Sequence, residues 1–203
     1  GFSEYAAKNF KSKIDAITIS KAQFEYASKK IQKEGLVEKV SIKFKDYRDI
    51  DNQYSNIASI EMFEAVGKKY WEKYFEVVRN SLLNSGKAAL QIITIDKKRS
   101  PGYQRQPDFI QKYIFPGGML PTKEELKKIN QNLGIQFNET KSFGLSYAKT
   151  LNLWNDQFQS SWDDLVKLGF NERFKRMWEF YLSYCETGFI SKSTDVSHFL
   201  INK

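Results

Sequence analysis

Short apolar runs alternate with helical stripes along the chain, and this alternation restricts its fold more than any other feature. AITIS at residues 16–20 and VSIKF at residues 40–44 have the character of strands, and the helical stripe between them ends at Gly35. NIASIEMF at residues 56–63 is more continuously apolar, which is typical of a strand covered on both faces. This order predicts a parallel, doubly wound α/β sheet whose ligands bind beyond the carboxyl ends of the strands.

The rest of the chain continues the pattern after one interruption. We expect a helix from about residue 68 to Gly86, then the buried strand KAALQIITID at residues 87–96. Four prolines and a Gly-Gly pair make residues 97–121 irregular, so we predict a long loop or lid there, with one helix near residues 108–113. Beyond it we predict helices at 121–134, 147–162 and 171–188, and strands at 135–143 and 195–203.

Composition excludes several classes of protein. With 203 residues, 41% of them hydrophobic, the chain can bury one sizeable core, which favours a single domain. It has no apolar run long enough to span a bilayer and no signal-like start, so we expect a cytoplasmic protein. One cysteine and one histidine cannot form a zinc site, so we expect no metal. The net charge of +8 favours anionic partners, but no nucleic-acid-binding signature accompanies it, so we expect no nucleic acid.

The stretch SIEMFEAVGKKYW at residues 59–71 raises a question of chemistry. It starts like a buried strand, and then Glu61 and Glu64 follow where that strand stops. In a doubly wound sheet this is where ligands bind, so the carboxylates indicate a site.

Seven segments carry a resemblance to a known family. In order along the chain they are GFSEYAAKNF, TISKAQFEYASKKI, KDYRDID, SIEMFEAVG, YIFPGGMLPT, SFGLSYAKTLNLW and ERFKRMWEFYLSYCETGF. Together they resemble the AdoMet-dependent cyclopropane-fatty-acyl-phospholipid synthase family, whose relatives include the mycolic acid cyclopropane synthases. The resemblance implies a Rossmann-like class I AdoMet-dependent methyltransferase sheet with a helical lid insertion. It implies one partial catalytic domain over residues 1–203, with 97–121 and 147–190 as lid or acyl-binding elements.

The start of the chain departs from the family pattern. The family has an N-terminal domain, and then a strand with a glycine-rich loop, before the segment that matches GFSEYAA. Here only the loop's last glycine, Gly1, is present. We therefore expect the sheet to lack its first strand and the loop that carries the methionine end of AdoMet, and we expect function of the parent protein rather than of this piece alone.

The resemblance assigns the AdoMet contacts to strand ends. Thr18, Ile19 and Gln23 would line the ribose and methionine side, and Asp46 and Tyr47 would take the adenine. The full set of cofactor-binding residues that we predict is Gly1, Thr18, Ile19, Gln23, Asp46, Tyr47, Ser59 and Ile60. Without the resemblance, Thr18 and Ile19 would be ordinary strand residues.

The resemblance also assigns the catalytic groups. The family holds a bicarbonate ion as the catalytic base, and the matching positions are the Glu64 carboxylate, the Ile93 backbone amide and the Tyr147 hydroxyl. Gln91 stands where many members have a histidine that contacts this ion. Glutamine forms hydrogen bonds but carries no charge near neutral pH, so the rate or the substrate would differ.

Three other residues are expected to play structural parts. Glu61 is interpreted as a helix-start or loop contact, because exposed carboxylates are usually solvated. His198 is remote in sequence from every site residue and is interpreted as structural or surface-exposed. Cys185 is interpreted as a buried thiol.

The leading hypothesis is a peripheral membrane enzyme that converts a cis double bond of an unsaturated phospholipid chain into a cyclopropane. Because the cyclopropanation passes through a positive centre on the hydrocarbon, a carboxylate at the strand end would stabilise it. The alternatives are a lipid C-methyltransferase that gives a methylated or methylene chain, a small-molecule N-methyltransferase, and a silent basic module that only docks on membranes. The expected partner is phospholipid at the membrane surface, and a homodimer stays open.

Overall fold

A computed structural model describes residues 1–203 of the chain and divides them into two compact units. The first unit is Gly1–Asn52 and the second is Gln53–Lys203. The prediction of a single catalytic domain stays a prediction.

The first unit contains two helices and a small parallel sheet. The helices are α1 (Phe2–Asn9) and α2 (Lys21–Lys33), and the strands are β1 (Ile14–Thr18) and β2 (Val40–Phe44). β1 and β2 pair in parallel, with Ile14 opposite Val40. Ala7, Ile31, Leu36 and Val40 form the buried core between helices and sheet.

The first predicted strand ends earlier than expected. We expected residues 16–20, but β1 stops at Thr18 because Ser20 caps α2, and its side chain accepts a hydrogen bond from the Gln23 amide. Serine at this position satisfies an otherwise unpaired N–H group of the first helical turn. The second predicted strand, residues 40–44, is confirmed.

The second unit is built on a mixed four-stranded sheet in the order β3-β4-β6-β5. The strands are β3 (Tyr54–Ile60), β4 (Leu82–Ile95), β5 (Gln136–Ser142) and β6 (Thr194–Asn202). β3 and β4 are parallel, whereas β6 is antiparallel to both β4 and β5. The expectation of a parallel sheet is therefore wrong for β6 alone, because β5, antiparallel to β6, runs in the same direction as β3 and β4. Strand direction depends on how β6 inserts between β4 and β5, and hydrophobic periodicity does not encode that.

The helices of the second unit follow the predicted order with different boundaries. They are α3 (Trp71–Asn80), α4 (Ser100–Arg105), α5 (Phe109–Tyr113), α6 (Lys123–Asn132), α7 (Gly144–Ser160), α8 (Trp162–Lys167) and α9 (Glu172–Ile190). None of the helices has the length and apolar character needed to cross a membrane.

Two predicted boundaries on the way to the site are wrong. The strand expected at residues 56–63 ends at Ile60, and residues Phe63–Ala65 form a short 3-10 helix instead. The helix expected to reach Gly86 ends at Asn80, and Gly86 lies inside β4. A side chain at Gly86 would meet the Leu83 carbonyl oxygen at 2.8 Å, so this glycine permits close backbone packing within a strand rather than ending a helix.

The segment 97–121 contains more helix than predicted. α5 is confirmed, with Asp108 and Gln111 forming a capping box at its start. α4 was not expected, because Pro101 suggested irregular chain, but proline is compatible with the first turn of a helix.

α7 and α9 pack on the sheet through a shared apolar cluster. Its buried members are Ala148, Leu151, Leu182, Phe189 and Val196. Tyr147, on the first turns of α7, is partly buried against the same cluster. This packing restricts the position of the Tyr147 side chain.

Candidate active site

The site of the second unit begins where β3 ends beside β4. Ile60 pairs with Gln91, and the Glu61 amide then donates to the Gln91 carbonyl oxygen at 2.9 Å. Glu61 has a φ of 52°, in the left-handed region that non-glycine residues seldom occupy. The chain therefore turns away from the sheet at Glu61 and leaves the edge of β4 open beyond Gln91.

Glu64 occupies this open edge. Its Oε1 accepts a hydrogen bond from the Ile93 amide at 2.6 Å, an N–H group that β3 no longer pairs. The Glu64 carbonyl oxygen accepts from the Met119 amide at 2.9 Å. The adjacent Phe63 is fully buried, with its ring centroid 5.0 Å from that of Tyr74 and 5.6 Å from that of Trp71. The packing of Phe63 and the Met119 hydrogen bond fix the backbone of this turn, and the Ile93 hydrogen bond fixes the Glu64 carboxylate.

The second oxygen of Glu64 has no partner within the protein. Oε2 is buried and accepts no hydrogen bond. Burial raises the pKa of Glu64 to about 7, against the lowering effect of the Ile93 amide, and the nearby negative charge of Glu61 raises it further. Burying a carboxylate oxygen without a partner costs free energy unless a cation or a hydrogen-bond donor binds to it. The position of Glu64 Oε2 is therefore suited to contact with a positive charge.

Tyr147, Gln91 and Glu61 form a hydrogen-bonded cluster next to Glu64. Gln91 Nε2 donates to Glu61 Oε1 at 2.6 Å and to the Tyr147 hydroxyl oxygen at 2.5 Å. The Tyr147 hydroxyl donates to Glu61 Oε1. Burial, and then the hydrogen bond to Glu61, hold the pKa of Tyr147 well above its ordinary value, so the phenol stays protonated. The structure thus brings Glu64, Ile93, Gln91 and Tyr147 together, as the resemblance implied.

Ser59 and Ile60, the predicted cofactor residues of the second unit, lie at the end of β3. The Tyr74 hydroxyl donates to Ser59 Oγ at 2.7 Å, which orients the serine. The Ile60 side chain is half exposed. Both stay predictions as cofactor contacts.

In the first unit, Thr18, Ile19 and Gln23 lie at the end of β1 and the start of α2. Thr18 Oγ1 donates to Gln23 Oε1 at 2.8 Å and accepts from the Ser20 amide at 3.1 Å. Ile19 is 71% exposed and so has no packing role of its own. Gly1, Thr18 and Gln23 line a cavity of about 290 Å³. These residues stay predictions as AdoMet contacts.

Asp46 and Tyr47 follow β2, and the carboxylate of Asp46 is already engaged. It accepts hydrogen bonds from the Arg48 amide at 2.9 Å, from Arg48 Nε at 3.0 Å and from Arg48 Nη2 at 2.7 Å. The guanidinium of Arg48 holds the pKa of Asp46 below its usual value. Asp46 also caps the 3-10 helix Tyr47–Asp49. The predicted contact with an adenine amino group would use the remaining lone pairs of this carboxylate.

One cavity of the second unit contains none of the predicted residues. It measures about 720 Å³ and lies beyond the ends of β4, β5 and β6, where Lys97, Lys141 and Lys192 contribute positive charge to its wall. Nowhere in the chain do three or more His, Cys, Asp or Glu side chains come close enough to hold a metal ion.

A family model described as mycolic acid cyclopropane synthetase matches residues 1–199. The chain belongs to this family. The resemblance noted on seven sequence segments is therefore confirmed, and the match covers almost the whole chain.

Two curated relatives of the cyclopropane synthetase family illustrate its range. The chain is 40% identical over 184 residues to the tuberculostearic acid methyltransferase of Mycobacterium tuberculosis. The aligned region covers 90% of the chain and 43% of the relative. The chain is 34% identical over 189 residues to the cyclopropane-fatty-acyl-phospholipid synthase of Escherichia coli, covering 93% of the chain and 47% of the relative. The chain thus spans less than half the length of these relatives. The family contains both lipid methyltransferases and cyclopropane synthases.

Solved structures of the cyclopropane synthetase family confirm the fold. A mycolic acid cyclopropane synthase complexed with SAH and CTAB gives a TM-score of 0.88 at 22% identity, covering 98% of this chain and 72% of that one. A cyclopropane synthase from Mycobacterium tuberculosis gives 0.88 at 23% identity, with the same coverage of 98% and 72%. The prediction of a Rossmann-like class I methyltransferase fold is confirmed.

Two further residues contribute contacts that the sequence did not predict. Glu61 is exposed, as its structural interpretation required, but its carboxylate accepts from both Gln91 and Tyr147. His198 lies directly opposite Gln91 in the β4–β6 pair, with its Nε2 2.9 Å from Gln91 Oε1. His198 is exposed, in agreement with its structural or surface interpretation, and strand register nevertheless brings it beside Gln91. Cys185 is partly buried, and burial raises the pKa of its thiol to about 12.

Proposed function

We propose that the protein, in its full length, uses AdoMet to convert a cis double bond of an unsaturated phospholipid acyl chain into a cyclopropane. Membership of a family of lipid methyltransferases and cyclopropane synthases supports this class of reaction. The observation that carries the proposal is the Glu64 carboxylate, which is buried at a strand end with one oxygen bound and the other unpartnered.

The unpartnered oxygen fits a cationic reaction. AdoMet, when bound, supplies an electrophilic methyl group on a sulfonium cation, and the alkylated hydrocarbon is positively charged in turn. Glu64 stabilises positive charge most effectively when it is itself ionised, and a nearby cation lowers the pKa of a carboxyl group. The pKa of about 7 in the protein alone therefore places Glu64 where a cation would ionise it near neutral pH.

The Tyr147 and Gln91 side chains bring no positive charge to this carboxylate. Tyr147 is neutral because its pKa is raised, and Gln91 has no charge to titrate. Glu61 adds a second negative group within the same cluster. The buried, fixed Glu64 carboxylate acts on a developing positive charge more strongly than an exposed carboxylate would, because water would screen the interaction.

The residues predicted to hold AdoMet are Thr18, Gln23, Asp46 and Tyr47 in the first unit, and Ser59 and Ile60 in the second. The exposed Ile19 offers an apolar contact of the kind that an adenosine moiety uses. Gly1 lines the same cavity as Thr18 and Gln23.

Bicarbonate as the catalytic base is part of the proposal. Glu64 Oε2 could accept the O–H group of this ion. The donors that the resemblance assigns to it are engaged within the protein, because the Ile93 amide donates to Glu64 and the Gln91 amide donates to Glu61 and Tyr147. We propose that these donors exchange partners when the ion binds.

A second product is suggested by Gln91. By the family resemblance, Gln91 takes the position of a histidine, and a glutamine cannot take up a proton near neutral pH. The relative at 40% identity is described as a tuberculostearic acid methyltransferase, a name that specifies methyl transfer to a fatty acid. A methylated or methylene chain is therefore the alternative to the cyclopropane.

The test uses the full-length protein with vesicles of unsaturated phospholipid and AdoMet. We expect Glu64→Gln and Tyr147→Phe each to lower the rate of methyl transfer by about 10²- to 10³-fold, the usual effect of removing an electrostatic contact to the transition state. AdoMet affinity, measured by calorimetry, should stay near normal.

Glu124→Gln is the matched control, since it removes one negative charge from an exposed position and should leave the rate unchanged. Proton NMR of the extracted lipid distinguishes the products by the presence or absence of cyclopropane ring protons. Unchanged turnover in Glu64→Gln would remove Glu64 from the mechanism.

A further inference from the structure

Gln91 lies between two sets of partners, one of which contains the predicted catalytic residue Tyr147. On one side its Nε2 contacts Glu61 and Tyr147. On the other side its Oε1 lies 2.9 Å from Nε2 of His198, its neighbour across the β4–β6 pair. The imidazole is the last group of a continuous chain of hydrogen bonds from Glu61 to β6.

Hydrogen-bond chemistry fixes the direction of this chain. A carboxylate only accepts, so the side of the Gln91 carboxamide that faces Glu61 must be its NH₂ group. The carboxamide oxygen then faces His198, and an oxygen cannot donate, so His198 Nε2 must carry a proton. The tautomer of the imidazole that fits the contacts of Gln91 is therefore the one with the proton on Nε2.

The imidazole ring is itself held in place. Its centroid lies 4.7 Å from that of Phe143, at an interplanar angle of 65°. Phe143 directly precedes α7, the helix that carries Tyr147, and its ring also contacts the Tyr147 ring edge to face at 5.8 Å. Edge-to-face contacts of this kind restrict the orientation of both rings.

We propose that His198 is a positioning residue. Its Nε2–H group holds the Gln91 carboxamide with the NH₂ group toward Tyr147 and Glu61. The positioning role of His198 rests on the proposed function in one respect, namely that Gln91 and Tyr147 belong to the catalytic site. Without the imidazole proton, the carboxamide keeps its contacts with Glu61 and Tyr147 but loses the hydrogen bond that holds its oxygen, so its NH₂ group is positioned less precisely against the Tyr147 hydroxyl.

The first test is spectroscopic and needs no enzymatic activity. His198 is exposed, so in ¹⁵N-labelled full-length protein we expect its hydrogen-bonded Nε2–H proton to be protected only in part, exchanging more slowly than that of a free imidazole, and to be assigned by its absence from His198→Gln. We expect Gln91→Leu, which removes the acceptor, to abolish the protection. A His198 imidazole without a protected Nε2–H proton, or the same protection in Gln91→Leu, would overturn the proposal.

The second test separates the hydrogen bond from the ring. His198→Phe keeps an aromatic ring for Phe143 but has no donor, and we expect it to lower kcat by about 10- to 100-fold, as loss of an orienting contact commonly does. KM for AdoMet and the midpoint of thermal unfolding should stay unchanged. His198→Gln retains an amide donor, so its kcat should lie within a few-fold of the natural protein.

Equal loss of kcat in His198→Phe and His198→Gln, or no loss in His198→Phe, would contradict the positioning role. If the natural protein transferred no methyl group to lipid, the proposed function would fail. The exchange protection of the imidazole proton would still decide whether His198 orients Gln91.

Discussion

Glu64 combines a hydrogen bond that favours its ionised form with burial that disfavours it. The Ile93 amide donates to one carboxylate oxygen, and the other lies buried without a partner. Burial is the larger effect, since the pKa rises from 4.5 to about 7. The folded protein therefore binds a proton at Glu64 more tightly than the unfolded chain does, and the free energy of unfolding must depend on pH.

The sign of this dependence follows from the raised pKa. The contribution of protonated Glu64 to stability is fully present below about pH 4.5 and is lost as the pH rises through about 7. A shift of this size corresponds to about 3 kcal/mol. We expect Glu64→Gln to remove this loss, so the variant should be more stable than the natural protein at pH 8 and similar to it at pH 5.

Urea unfolding between pH 5 and pH 8 measures this effect, with Glu124→Gln as the control for the change in net charge. Parallel stability curves for Glu64→Gln and the natural protein would show that Glu64 does not have a raised pKa in the fold.

The residues of the site differ in how far the sequence could predict them. Glu64, Gln91, Ile93 and Tyr147 were found through the family resemblance, and the structure brings them together. His198 was missed because its contact with Gln91 spans 107 positions along the chain and depends on strand register alone. Once β4 and β6 are paired, the contact is unavoidable, but no local pattern indicates that pairing.

Among the elements, α7 depends on an unusually close contact at its first residue. Asp195 on β6 accepts hydrogen bonds from the Gly144 amide at 3.0 Å, from Ser142 Oγ at 2.6 Å and from Lys123 Nζ at 2.8 Å. A Cβ atom at Gly144 would lie 2.7 Å from Asp195 Oδ1 and 3.2 Å from the Phe189 ring. Glycine is required here by close approach rather than by backbone conformation.

We expect Gly144→Ala to lower the free energy of unfolding by about 1 to 3 kcal/mol, because the methyl group must displace Asp195 or Phe189. The rate of methyl transfer should fall as well, since Tyr147 lies one turn further along the same helix. Denaturant unfolding and the lipid assay measure the two effects.

Gly102→Ala is the matched control, since a Cβ there meets nothing within 4 Å and α4 has ordinary helical geometry. It should be neutral or slightly stabilising, by up to about 1 kcal/mol. Equal stability of the Gly144→Ala and Gly102→Ala variants would show that the start of α7 tolerates a shift.

Most helices and strands can be predicted from local sequence patterns. The predicted boundaries are wrong where tertiary contacts determine the end of an element. Strands 40–44 and 87–96 and the helix after Pro121 follow from local patterns. The end of β3 at Ile60 does not, because the apolar run continues through Met62 and Phe63. Phe63 is apolar because it packs against Trp71, Tyr74 and Phe75, not because it extends the strand.

For the whole molecule, the net charge of +8 bears on how it meets its proposed substrate. We expect the full-length protein to bind vesicles that contain anionic phospholipid more tightly than vesicles of zwitterionic lipid. Added salt should weaken this binding, because positive residues near a negative surface are attracted by about 1 kcal/mol each and salt screens the attraction. Sedimentation with vesicles at low and high salt measures it.

Charge reversal at Lys97, Lys141 and Lys192 tests whether the wall of the large cavity contributes to this attraction. Binding that is equal for both kinds of vesicle and insensitive to salt would contradict an electrostatic contribution to membrane association. Membrane association and a homodimer stay predictions of the sequence.

The left-handed backbone at Glu61 has a consequence for engineering. A non-glycine residue in this conformation costs about 1 to 2 kcal/mol, and glycine or asparagine would relieve the strain. Directed evolution that selects only for heat tolerance would therefore tend to replace Glu61, and the surviving clones would have lost the carboxylate that Tyr147 and Gln91 share. Thermostable libraries of this protein should be selected for turnover in the same round.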